Sequence, residues 1–200
     1  MRKSARYALF FIAIYAVSMR ANAHIGTEMH GHGSFMTGFL HPFGGMDHLL
    51  AMLAVGVWSA LVVQRPDSAL LRGPLAFANV LLLGTLLGLQ GLTGAVVEPM
   101  VAASVLVLGL LVLTRFPLGR GTCMALVGGF ALFHGLAHGS ELAASDNALA
   151  AMAGMYTATL LLHLGGVLLG WPLRRAPLWV GRATGATVAA SGVALLLQLV

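Results

Sequence analysis

Charge is what this chain has least of. Aspartate, glutamate, lysine and arginine together make up 8% of its 200 residues, while hydrophobic residues make up 58%. Water-soluble domains carry roughly 25% charged residues. With a mean hydropathy of +0.90, the scarcity of charge excludes a disordered chain, a coiled coil and an ordinary soluble domain. Cysteine is nearly missing as well. The lone Cys123 excludes an internal disulfide and a cysteine-cluster metal site. Polar/apolar alternation is absent, so the apolar segments read as helices rather than strands. No GxxxxGK[ST] occurs, and the loops are too short for a nucleotide-binding domain. The net charge of +5 is concentrated in Arg2, Lys3, Arg6 and Arg20. Beyond them, seven basic residues face six acidic ones, which makes nucleic acid a poor partner.

What is present is a membrane pattern. Arg2, Lys3 and Arg6 precede the 11-residue apolar run Tyr7 to Val17. That run falls short of the ~20 residues a spanning helix needs. Ala21-Asn22-Ala23 comes next as a small-x-small cleavage signal, so residues 1–23 read as a signal peptide. Cleavage would leave His24 at the new N-terminus, where its amine and imidazole could chelate a metal together. Residues 24–200 then read as one all-α, polytopic transmembrane domain. Its six apolar runs are 45–63, 74–91, 96–114, 121–139, 148–170 and 177–199, each long enough to cross ~30 Å of hydrocarbon. Cleavage puts the mature N-terminus outside, and an even number of spans puts the C-terminus there too. All seven remaining arginines, Arg65 to Arg182, then fall in inside loops, as the positive-inside rule requires. Glu28, Asp47, Glu98, Glu141 and Asp146 fall outside, and Asp67 inside. A bacterial inner membrane is the expected location. Four-residue glycine spacings (Gly84/Gly88, Gly135/Gly139, Gly166/Gly170, Gly181/Gly185) predict close helix packing, within one chain or in a homo-oligomer. The seven-residue spacings His41/His48 and His134/Glu141 hint at a 3+3 internal repeat.

Two constellations carry the chemistry. The first is His41-Pro42-Phe43-Gly44-Gly45-Met46-Asp47-His48. Pro42 lacks a backbone donor and the glycines loosen the chain, so the approach to the first full helix is expected to be broken. The apolar stretch Phe35–Leu40 ahead of it would dip into the membrane or lie on its surface. Asp47 would sit in the first helical turn, where the dipole favours a carboxylate. The second is Phe133-His134-Gly135-Leu136-Ala137-His138-Gly139-Ser140-Glu141. His134, His138 and Glu141 stand at i, i+4 and i+7, on one helix face. Imidazoles with carboxylates suit a first-row divalent ion such as Ni²⁺, Co²⁺, Zn²⁺ or Cu²⁺. Ionisable groups inside a span point to function. His24, His30 and His32 form a tail able to collect cations. Gln90 and Glu98 flank the outer cluster as vestibule groups. His134 lies about 8 Å down its span and His163 about 22 Å down, at 1.5 Å per residue. His163 therefore reads as a second station, beside Asn79. Met29, Met36, Met46 and Met52 could hold copper(I), although such residues mostly serve packing.

The pattern His41-Pro-x-x-Gly-x-Asp47-His48-x-Leu-Ala-Met together with Phe133-His134-Gly-x-Ala-His138-Gly-x-Glu141 resembles the HupE/UreJ family. These are hydrogenase- and urease-associated membrane proteins regarded as nickel or cobalt permeases. The likeness takes in the signal peptide, the six spans and the histidine start of the mature chain. It implies a permease, not an enzyme, taking Ni²⁺ or Co²⁺ from periplasm to cytoplasm. His41, Asp47, His48, His134, His138 and Glu141 are the matching motif positions. Other classes stay open on the residues alone. An intramembrane zinc hydrolase could use His48, His134 and His138 as ligands with Asp47 as base. A haem-binding electron carrier and a metal sensor or chaperone subunit are the others.

Overall fold

The computed structural model describes residues 35–63, 67–143 and 146–199. The expected signal peptide and the His24, His30 and His32 tail lie outside these residues. The described residues form seven α-helices: α1 Phe35–Gly44, α2 Met46–Val62, α3 Arg72–Leu89, α4 Val97–Thr114, α5 Arg120–Leu142, α6 Ala148–Leu173 and α7 Leu178–Gln198. A short 3₁₀ turn, Ser68–Leu71, leads into α3. Helices α3 to α7 are each long and apolar enough to cross a bilayer. The pair α1 and α2 passes the same test together but is bent by 86°. The protein is therefore a multi-pass membrane protein, and its helices match the six apolar runs of the sequence within a few residues.

The break before the first long helix is present, but Pro42 is not where it falls. Helix α1 runs through Pro42, and the bend comes at Gly45, which is extended at φ −104° and ψ 125°. Proline acts on the turn before it, through the carbonyl four residues back, so the helix can continue past Pro42 to Gly44. Gly45 also makes room for the first turn of α2. A Cβ on it would stand 2.7 Å from Asp47 Oδ1 and 3.1 Å from His48 Nδ1. Three of the other spans begin with residues that suit a first turn: Pro74 in α3, Pro99 in α4 and the Asn147 side chain capping Ala150 N–H at 3.1 Å in α6.

Lipid supplies no hydrophobic drive between helices, so packing depends on backbones that can approach closely. Glycine provides this at each main contact. Gly84 and Gly88 on α3 face Gly135 and Gly139 on α5. A Cβ at any of the four would meet a backbone carbonyl of the facing helix. Gly56 of α2 and Gly166 of α6 meet in the same way, as do Gly109 of α4 and residue 189 of α7. Gly38 and Gly154 seat the bent helix α1 on α6. The expected small-residue packing is thus present in all four glycine pairs named in the sequence, with Gly170 set against α2, Gly181 against the Arg115 guanidinium and Gly185 against α4.

The result is inverted relative to a soluble protein. Leu83, Leu161 and Leu168 are exposed on the outside, where lipid lies, while His134, His138 and His163 are fully buried inside. Charge separates by end. Alternating helix directions put Arg72, Arg115, Arg120, Arg174, Arg175 and Arg182 at one end of the bundle, and Asp47, Glu98, Glu141 and Asp146 at the other. At the arginine end, Trp58 Nε1–H donates to the Phe116 carbonyl at 3.0 Å, and Arg115 Nη2 donates to the Leu173 carbonyl at 3.1 Å.

Candidate metal centre

At the acidic end, the bend at Gly45 folds α1 back so that His41 lies over the end of α5. His41 Nε2 and Glu141 Oε2 are 2.8 Å apart. The side-chain nitrogens and oxygen of His41, His138 and Glu141 lie within 4.8 Å of one another, a spacing that would hold a metal ion. Glu141 is half exposed, His41 partly exposed and His138 fully buried. Neither ring nitrogen of His138 has a hydrogen-bond partner, and its Nδ1 is 3.6 Å from Glu141 Oε2. An imidazole with both nitrogens buried and unpartnered is a poor structural element and a good ligand.

The i, i+4, i+7 face of α5 does not stay together as one ligand set. His134 sits one turn deeper than His138 and joins the first motif instead. The His48 ring lies 4.2 Å from the His138 ring and 4.8 Å from the His134 ring, centroid to centroid. With His41 and His138 4.8 Å apart, the four rings form a continuous file from the mouth to the interior. All six expected ligands are at or beside this file.

Hydrogen bonds decide which nitrogen is bare in His48, His134 and His163. Asp47 Oδ1 accepts from the His48 backbone N–H at 2.8 Å and from its ring Nδ1–H at 2.8 Å. That leaves His48 Nε2 bare, buried and without a partner. The Ser104 hydroxyl is committed to the Val101 carbonyl at 2.6 Å, so Ser104 Oγ accepts from His134 Nε2–H at 2.8 Å. His134 Nδ1 is then the bare atom, and it has no partner. The Met52 carbonyl can only accept, so it takes His163 Nδ1–H at 2.7 Å and leaves Nε2 bare. A partner that fixes the tautomer and orients the ring is the usual support for a metal-binding histidine. Asp47 accordingly supports His48 rather than standing free.

Ser104 was not visible as a site residue in the sequence, because a lone serine in an apolar helix resembles any packing residue. Replacing it should still be felt. In Ser104→Ala the fold is kept, but His134 is free to adopt the other tautomer. The concentration of divalent metal needed for half-saturation of the purified protein should rise about 10- to 100-fold. A metal-binding titration would check this, and an unchanged half-saturation point would refute the tautomer lock.

A cavity of about 620 Å³ opens beside the file, lined by Asp47, His48, Glu98, Ser140, Glu141 and Gln198 among others. Six waters occupy roughly 180 Å³ in the liquid, so a hydrated divalent ion fits with room to spare. Glu98 lines this cavity, and α7 contributes to the same wall. Gln90 instead ends α3, exposed, away from that lining. His163 lies beyond Phe77, whose ring is 5.4 Å from that of His134 and 5.1 Å from that of His163. The expectation that Asn79 accompanies His163 is corrected. Asn79 faces outward on α3 and its Oδ1 accepts from the Tyr156 hydroxyl at 3.0 Å.

The family described as HupE / UreJ protein matches residues 12–195 of the chain. A protein of Rhizobium leguminosarum bv. viciae called Protein HupE is 38% identical over 186 residues, covering 92% of this chain and 94% of that protein. No solved structure matches. A match over nearly the whole length, through both histidine motifs, means that the chain belongs to the HupE/UreJ family, whose members are accessory membrane proteins of the transporter type rather than enzymes.

Proposed function

We propose that the chain carries Ni²⁺, or Co²⁺, across the bacterial inner membrane from periplasm to cytoplasm, for the maturation of a hydrogenase or a urease. The observation that supports this best is the file His41, His138, His48, His134, which leads from a half-exposed mouth to a fully buried interior. A catalytic centre holds its metal in one fixed set of ligands with a single open position for water or substrate. A file of rings with successive bare nitrogens suits an ion that changes ligands as it moves. Glu98, Glu141 and Asp47 would raise the local cation concentration at the mouth. The hydrogen-bonded Asp47 also counts against a zinc hydrolase that uses it as a general base.

The orientation rests on charge. With the acidic mouth in the periplasm, the described arginines all face the cytoplasm, in keeping with the positive-inside rule. Entry of a divalent cation is then driven by the membrane potential, at about 2.3 kcal/mol per charge per 100 mV. That drive requires no nucleotide. Imidazole nitrogen and carboxylate oxygen favour nickel and cobalt over magnesium and calcium.

The test is uptake of radioactive nickel at submicromolar concentration, in cells lacking their own nickel importers. Accumulation should be competed by cobalt more strongly than by zinc or copper. It should also weaken as the medium is acidified, because protons compete with the metal for the imidazole nitrogens. Absence of accumulation, with protein in the membrane, would overturn the proposal.

A further inference from the structure

Five helical threonines among the described residues share one pattern. Thr85, Thr114, Thr157, Thr184 and Thr187 each donate their hydroxyl to the carbonyl four residues back, at 2.7 to 3.0 Å. This is the ordinary way to satisfy a hydroxyl in an apolar helix. Thr159 departs from this pattern where water cannot compensate. It is fully buried in the middle of α6, and its Oγ1 has no partner at all.

One turn further on stands His163, also buried, with Nδ1 tied to the Met52 carbonyl and Nε2 without a partner. A helical side chain leans back over the preceding turn, so the His163 ring lies above Thr159. Two unpartnered polar atoms on one face at this depth are expensive in hydrocarbon unless something binds them. The His163 ring also touches Phe77, whose other neighbour is His134, the deepest ring of the outer file.

We propose that Thr159 Oγ1 and His163 Nε2 form a second binding station for the divalent ion, separated from the outer file by the Phe77 ring. The station takes a first-row divalent cation that keeps part of its water. One neutral nitrogen and one neutral oxygen bind it more weakly than the outer cluster, which has carboxylates. Weak binding at the inner station is what onward release requires. The inference rests on the transport reading and adds a site to it.

Cobalt(II) is the probe, because its visible absorption reports its ligands. The full chain is purified in lipid nanodiscs and titrated with CoCl₂. Wild type should bind two ions. His138→Ala should keep the inner one. Adding Thr159→Val, which preserves shape, should weaken that remaining ion about tenfold, and adding His163→Gln should remove it, with thermal melting confirming that each variant is folded. Thr159→Val alone should slow nickel uptake while leaving the outer cobalt spectrum unchanged. An unaltered cobalt affinity when Thr159→Val is added to His138→Ala would overturn the station, as would a folded His138→Ala chain that binds no cobalt. Wild-type protein that binds two ions but moves none would overturn transport and leave the station standing. Normal uptake by Thr159→Val with unaltered cobalt binding would do the reverse.

Discussion

In His138→Ala, nickel uptake should fall to background while the protein stays in the membrane at its normal level. The two halves of that expectation have separate causes. His138 is the buried member of the only three-residue ligand group found among the described residues, with His41 and Glu141. It is also the ring that links His41 to His48. Removing it takes away a ligand and opens a gap in the file. Loss of an outer support typically weakens metal binding 10- to 100-fold, so loss of the ligand itself should exceed about 100-fold. The fold, by contrast, loses no hydrogen bond, since neither ring nitrogen has one. A buried unpartnered polar atom costs about 1–3 kcal/mol, and the variant sheds one, Nε2, along with the long 3.6 Å contact of Nδ1 to Glu141. That gain offsets part of the packing lost with the ring. Uptake and membrane level measured on the same cells would check both halves. Wild-type uptake would remove His138 from the path, and missing protein would make it a structural residue.

Much of this was legible in the sequence because the bilayer constrains backbones so tightly. Six apolar runs of sufficient length had to become helices, and their glycine spacings had to face one another. His134, His138 and Glu141 could be placed on one side of α5 by counting. Depth was the harder matter. One turn separates His134 from His138, and which neighbours each meets depends on how α2 and α4 lie against α5. Nothing local reports that. Ser104 fixes the His134 tautomer from a position 30 residues earlier in the chain, and Phe77 reaches His134 and His163 from a third helix. Each is a single residue in an apolar stretch, with the same local signature as a packing residue. Asn79 misled for the opposite reason. A lone amide in a span invites a role at the path, yet the periodicity of α3 is too weakly amphipathic to show that it faces outward, where Tyr156 satisfies it. Pro42 misled because a proline disturbs the turn before it rather than the residues after it, so the helix runs on to Gly44 and the bend falls at Gly45.

Gly135→Leu should remove the protein from the membrane altogether. Gly135 stands between the site residues on α5, but its role is in the backbone. A Cβ there would overlap the Leu81 carbonyl and come within 2.7 Å of Gly84 Cα and Thr85 N. All three are main-chain atoms of α3 and cannot swing aside. Nor can α3 and α5 tilt apart at this point alone, because Gly139 makes the same contact one turn on, against Thr85 and Gly88. Overpacking costs about 1–3 kcal/mol where side chains can shift. Here both neighbours are backbone, so the upper figure is a floor for the loss. Gly129→Leu is the control on the same helix. A Cβ there meets nothing within 4 Å, and the side chain would extend into lipid. Membrane level by immunoblot and melting temperature in detergent should fall for Gly135→Leu and hold for Gly129→Leu. Equal levels for both would mean that the α3–α5 contact does not carry the fold. The two helices it joins bring Phe77 against His134, so the close approach that glycine permits also sets the distance across which the ion would pass from the outer file toward His163.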